Sequence, residues 1–102
     1  MIEINEATEF QETVRNASGL VLVDFFTTWC GPCRMLAPVL AELENVTVVK
    51  VDGDKHQDLI VEHGVAAYPT MVFYKDGVVV GKEVGLLSKE NLQKTVDDLN
   101  GG

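Results

Sequence analysis

Apolar and polar positions change their period several times along this 102-residue chain, and each change marks an element. Met1 to Ile4 alternates weakly and predicts a short strand. Phe10, Val14 and Ala17 follow at helical spacing. They predict a first helix running to Asn16, with Thr8 as its cap, Gln11 as the capping-box partner and Ser18-Gly19 as its stop. From Leu20 to Phe26 odd and even positions alike are apolar, the pattern of a strand covered on both faces. Leu36, Val39, Leu40 and Leu43 trace one face of a second helix over residues 33–44. Pro38 lies inside it and predicts a kink rather than a break, because the periodicity continues beyond it. Residues 46–52 read as the next buried strand, and residues 57–63 as a short helix with Leu59 and Ile60 inward and Gly64 as its stop. Residues 70–74 and 78–84 are strands around Lys75-Asp76-Gly77, a hairpin signal. Ser88 caps a last helix with Leu92, Val96 and Leu99 inward, and Gly101-Gly102 is expected to fray. Strand–helix–strand units followed by an antiparallel hairpin predict a three-layer α/β/α fold, with a mixed central sheet of about five strands and four helices on its faces. No linker, repeat or low-complexity tract interrupts residues 1–102, which are expected to form one domain.

Two charged residues break the apolar runs. Asp24 sits in the strand covered on both faces, where burial should raise its pKa and leave it able to carry protons. The plainer alternative is an aspartate at a solvated strand end. Lys50 interrupts the following strand. It either reaches water along its aliphatic stem or approaches Asp24 and tunes its ionisation. His63, close to a helix C-terminus, reads as a surface residue complementing the dipole, and His56 has no evident partner.

Sixteen acidic against eight basic residues give a formal charge of −8. That balance argues against nucleic acid or an anionic membrane as a partner. No apolar run approaches the roughly 20 residues of a membrane span. No basic segment followed by an apolar one opens the chain, so no signal peptide is expected, and a cytoplasmic location is. There, paired thiols are more often catalytic than structural.

The chemistry concentrates in Trp29-Cys30-Gly31-Pro32-Cys33, which holds the only tryptophan and both cysteines. The stretch lies between a strand-like run and a helix-like one, a context that favours redox chemistry over metal binding. A cysteine at the first turn of a helix meets unpaired N–H groups and the positive end of the dipole, which favour thiolate. Cys30 is therefore the expected attacking thiol. Pro32 suits a first helical position. Cys33, one turn on, should be shielded and act second, by resolving the mixed disulfide. A structural bridge closing so short a loop would remove little chain entropy. A zinc site needs four ligands, and His56 and His63 fit no finger spacing with the cysteines, so no metal is expected.

The Trp29-to-Cys33 motif after Val23-Asp24-Phe25, with Tyr68-Pro69-Thr70 and Val84-Gly85-Leu86-Leu87-Ser88-Lys89 further on, resembles the thioredoxin family in order and distance over nearly the whole chain. The resemblance implies a thioredoxin-like fold, no bound cofactor, and reduction of protein disulfides through a redox-active Cys30–Cys33 pair. It also implies recycling by a thioredoxin reductase, with electrons from a nicotinamide or ferredoxin, and a monomer carrying electrons in cell redox homeostasis. Asp24 would help deprotonate Cys33, with Lys50 as its neighbour. Pro69, otherwise an edge proline, would be a cis proline facing the dithiol, leaving the Tyr68 backbone free to pair with an extended substrate. Trp29, Gly31, Pro32, Tyr68, Pro69 and Gly85 would form the docking surface, with Gly85 permitting close backbone approach. Several residues depart from the family pattern: Phe26 and Thr27 stand for a commoner tryptophan and alanine, Ala67 for a frequent glycine, Tyr68 for an aliphatic residue, and Gly53 for an apolar one. These departures bear on partner choice rather than on the exchange itself. An oxidase or isomerase of the same superfamily, and a non-enzymatic subunit of a larger complex, are the alternative readings. The Gly31-Pro32 dipeptide favours the reductase.

Overall fold

Val21, Val23 and Phe25 point to one face of the central strand and Leu20 and Leu22 to the other, so the two-sided burial expected there is met by two separate cores. The computed structural model describes residues 1–101. In chain order the elements are β1 (Ile2–Glu3), α1 (Ala7–Phe10), a π-helical stretch (Gln11–Arg15), β2 (Leu20–Phe26), α2 (Gly31–Ala41), β3 (Thr47–Asp52), α3 (Gln57–Glu62), β4 (Thr70–Lys75), β5 (Val78–Val84) and α4 (Lys89–Leu99). The five strands lie in the order β1-β3-β2-β4-β5. β3 runs parallel to β1 and β2, β4 antiparallel to β2, and β5 antiparallel to β4. This is the expected mixed sheet. One core gathers Phe10, Val14, Phe25, Val49 and Val51 with Leu59 of α3. The other gathers Leu22, Val48 and Phe73 with Leu36 and Leu40 of α2 and Leu92 and Val96 of α4.

The same alternation fixes where the two interrupting charges go. Asp24 follows Leu20 and Leu22 onto the α2 side, and Lys50 follows Val48 there. Asp24 and Lys50 are register partners across β2 and β3. The sheet therefore sets the pair on the face covered by the helix that carries Cys33.

The first helix departs from its sequence reading. Glu6 is its cap, and the Glu9 carboxylate accepts the Glu6 N–H at 2.8 Å. The Thr8/Gln11 pair matched the capping pattern, but the helix has already begun at Ala7. After Phe10 it widens: Asn16 N–H reaches Gln11 C=O at 2.8 Å, across five residues. Phe10 and Val14 are both fully buried in that arrangement. The second helix begins at Gly31, at the head that Pro32 marks, and continues through Pro38 as expected, ending at Ala41. The β4–β5 turn places Asp76 and Gly77 at φ 50° and 83°, the left-handed pair that a two-residue hairpin needs. Asp76 Oδ1 accepts the Gly19 N–H at 2.7 Å, which pins the turn to the loop before β2.

Both histidines are more embedded than the sequence suggested. His63 is half-buried rather than free at the surface: its ring centroid lies 5.3 Å from that of Phe10 and 5.0 Å from that of Phe25. Its Nδ1 donates to Leu59 C=O at 2.8 Å, which leaves Nε2 to accept from Tyr74 Oη at 2.6 Å. His56 is buried, and its Nε2 donates to Ile4 C=O at 3.2 Å, tying α3 to the end of β1. Gly101 has φ 116°, and the expected fraying of Gly102 lies outside the described residues.

Candidate functional site

β2 ends at Phe26 and α2 begins at Gly31, so a four-residue loop delivers Cys30 to the helix head. Cys30 is the N-cap, with φ −88° and ψ 111°, and Pro32 follows in the first turn, where its missing N–H is not needed. The Cys33 N–H donates to Cys30 Sγ at 3.2 Å. Cys30 and Cys33 form a disulfide with their Cα atoms 5.3 Å apart. The expected difference in exposure is absent from this form, with Cys30 5% and Cys33 4% exposed. What separates the sulfurs is electrostatics. Cys30 Sγ sits where an orphan N–H and the positive helix end meet, whereas Cys33 lies inside the first turn.

Asp24 is 1% exposed, and neither of its carboxylate oxygens has a hydrogen-bond partner. Burial pushes its pKa up to about 6, and the positive charge of Lys50 holds back part of that rise. The solvated strand-end alternative is thereby excluded. Lys50 makes no direct ion pair with it among the described residues. Its Nζ lies 4.3 Å from the centroid of Phe26, a cation–π contact that holds the ammonium over the ring.

The other predicted positions gather around the disulfide. Tyr68 packs against the cluster of Phe26, Cys30 and Cys33. Its ring meets Trp29 edge-on, with centroids 6.1 Å apart. Trp29 is exposed, and its indole N–H donates to Asp54 Oδ2 at 2.9 Å. The Tyr68–Pro69 peptide bond is cis. Pro69 C=O accepts the Gly85 N–H at 2.9 Å, which joins these two positions. A Cβ at Gly85 would meet nothing of this chain within 4 Å, and its φ of 96° is one that favours glycine. Gly31 likewise faces open space, and Pro32 is exposed. Arg34 Nη1 donates back to the Thr28 carbonyl at 3.1 Å.

A thioredoxin family model matches residues 1–98. The chain belongs to the thioredoxin family. It is 43% identical over 100 residues to a thioredoxin of Chlamydia trachomatis, covering 94% of this chain and 96% of that one. A Bacillus subtilis thioredoxin is 41% identical over 99 residues, with 92% and 95% covered. A solved mutant thioredoxin from Halobacterium salinarum superposes with a TM-score of 0.90 at 36% identity, covering 99% of this chain and 91% of that one. Membership in the thioredoxin family, with the Cys30–Cys33 pair at its helix head, makes the protein a thiol–disulfide oxidoreductase of protein disulfides.

Two departures from the thioredoxin pattern compensate one another. A Cβ at residue 53 would lie 2.7 Å from Cζ and 2.8 Å from Cε1 of Tyr68, so the large ring occupies space that only glycine leaves free. Sequence reading noted both residues but could not see that they touch. Gly53→Val is expected to drive the outer end of the half-buried ring off its seat and to cost about 1 kcal/mol of stability, the low end for overpacking. Urea unfolding checks this, and a variant as stable as its parent would mean that the ring moves aside freely. The Trp29–Asp54 bond, between residues 25 apart, has no signal in the sequence.

Proposed function

We propose that the protein reduces protein disulfides by a two-step exchange. Cys30 thiolate attacks a substrate disulfide and forms a mixed disulfide. Cys33 then attacks Cys30 Sγ, releases the substrate thiol and closes the Cys30–Cys33 bond. The observation that carries this reading is the Cys33 N–H directed at Cys30 Sγ at the head of an 11-residue helix, which favours negative charge on that sulfur. Asp24 accepts the proton of Cys33, and its pKa near 6 suits a base working around neutrality. Burial sets that value, and Lys50 on the adjoining strand keeps it from rising further.

The docking surface is Trp29, Gly31, Pro32, Tyr68, Pro69 and Gly85, against which an extended substrate segment lies beside the Tyr68 backbone. A thioredoxin reductase returns the pair to the dithiol with electrons from a nicotinamide or ferredoxin. No metal or bound cofactor takes part, and the redox group is the disulfide itself. We place the protein in the cytoplasm as a monomeric electron carrier. Support comes from its use of cysteine as an exchangeable pair and from its charge of −8, which also disfavours nucleic acid and anionic membranes. No described helix is long and apolar enough to cross a membrane.

A coupled assay tests this reading: reduction of a generic protein disulfide with candidate reductases as electron source. Turnover should follow with a matching reductase and be poor with unrelated ones, because the Tyr68–Gly53 seat reshapes the surface a reductase must meet. Equal turnover with several unrelated reductases would count against that specificity. A strongly oxidising pair in equilibrium with glutathione would rule out the reductase.

A further inference from the structure

Among the described residues, the buried side-chain oxygens without a hydrogen-bond partner are both carboxylate oxygens of Asp24 and Oγ1 of Thr27. Asp24 is accounted for by its place in the exchange, and Thr27 is not. It is 1% exposed and stands where the family more commonly has alanine. A buried hydroxyl left unpaired is unfavourable, and such a group calls for an explanation beyond packing, since an apolar side chain of the same shape would fill the space better. Thr27 shares the walls of one cleft of about 330 Å³ with Cys33, Arg34 and Lys50.

The disulfide explains the missing partner. While Cys33 Sγ is bonded to Cys30 that bond fixes where the sulfur lies, and it is not placed to accept the Thr27 hydroxyl. Once that bond opens, Cys33 becomes a thiol and then a thiolate, a charged acceptor on a buried side chain. We infer that the Thr27 hydroxyl donates a hydrogen bond to Cys33 Sγ in the open forms, which makes Thr27 a residue of the resolving step. The inference rests on the assignment of Cys33 as the resolving thiol. In that step the Cys33 proton passes to the Asp24 carboxylate. The Cys33 sulfur pair forms the bond to Cys30 Sγ, and the Cys30–substrate bond breaks with its pair leaving on the substrate thiolate. Thr27 gives up no atom or electron. It stabilises the anion between proton loss and attack.

The charged and titratable groups around Cys33 are Asp24 from β2, Lys50 from β3, Arg34 and Cys30 from the α2 head, and Tyr68 from the segment before β4, and all are retained in a Thr27→Val variant. Valine has the shape of threonine without its donor. The test is a pH titration of the reduced full chain carrying 13Cβ-labelled cysteine, which reads each thiol separately by NMR, for the parent, Thr27→Val and Thr27→Ser. Loss of the hydroxyl should raise the Cys33 midpoint by about one pH unit, roughly tenfold less thiolate at a given pH. The Cys30 midpoint should stay in place, and serine should restore the Cys33 value. An unchanged Cys33 midpoint in Thr27→Val overturns the inference. A parent protein in which Cys30 is no more acidic than Cys33 overturns instead the assignment beneath it. Should Thr27→Val not fold, Thr27→Ser against Thr27→Ala makes the same comparison.

Discussion

Cys33→Ser should stop turnover and leave the protein joined covalently to its substrates through Cys30. The attack of Cys30 needs only its own thiolate, and the features that favour it survive the substitution: the helix head and the residue-33 N–H at 3.2 Å from Sγ. The second step needs a sulfur one turn further on, and a serine hydroxyl cannot supply a nucleophile or a leaving group of comparable strength. Catalytic turnover should fall by at least about 10³-fold, because removing one member of a concerted pair removes the function of both. Mass spectrometry of the protein recovered under non-reducing conditions would read the adducts directly. Cys30→Ser should give none, since Cys33 lies inside the first turn and lacks the orphan N–H that activates its neighbour. Adducts on Cys33 in that variant would reverse the order of attack.

The asymmetry behind this expectation was legible in the sequence because it depends on local order. A strand, a short loop, two cysteines three residues apart and a proline at the first helical position fix where the helix head falls. The strands were readable for a related reason: a run covered on both faces, such as Leu20 to Phe26, admits few other interpretations. The first helix was harder. Thr8 carried a stronger capping preference than Glu6, but where that helix begins and widens is settled by the burial of Phe10 and Val14, which is a tertiary matter. Side-chain partnerships between distant segments left no trace in the sequence. Gly53 and Tyr68 were each visible as departures, and only the fold shows that the second fills the space the first leaves open. His63 was misplaced for the same reason, since nothing local announces the Phe10, Phe25 and Tyr74 rings around it. The Asp24–Lys50 register was inferable from alternation along two adjoining strands, whereas the contact of Lys50 with Phe26 was not.

Asp24→Asn should stabilise the oxidised protein near pH 8 by about 3 kcal/mol relative to the parent, with the gain fading below about pH 4. The sign follows from proton counting. In the unfolded chain Asp24 titrates near 3.8, and in the folded protein near 6. Between those values the folded state holds a proton that the unfolded state has lost, so the contribution of this group to stability falls as pH rises through the window. Above about pH 6 the folded protein carries the full penalty of a buried, unpartnered carboxylate, and below about pH 4 both states are protonated and the penalty disappears. The neutral amide carries none of that penalty at any pH. Urea unfolding of both proteins from pH 4 to pH 8 would give two curves that diverge upward in pH. Taking the difference removes the titration of every other carboxylate, and parallel curves would refute the buried-charge account. The same substitution should slow resolution of the mixed disulfide, most clearly above pH 6, where the parent carboxylate is ionised and able to take the Cys33 proton. A residue whose neutral replacement strengthens the fold while weakening the reaction is held in place by chemistry, and the opposite pH dependences of the two effects distinguish that role from a packing defect.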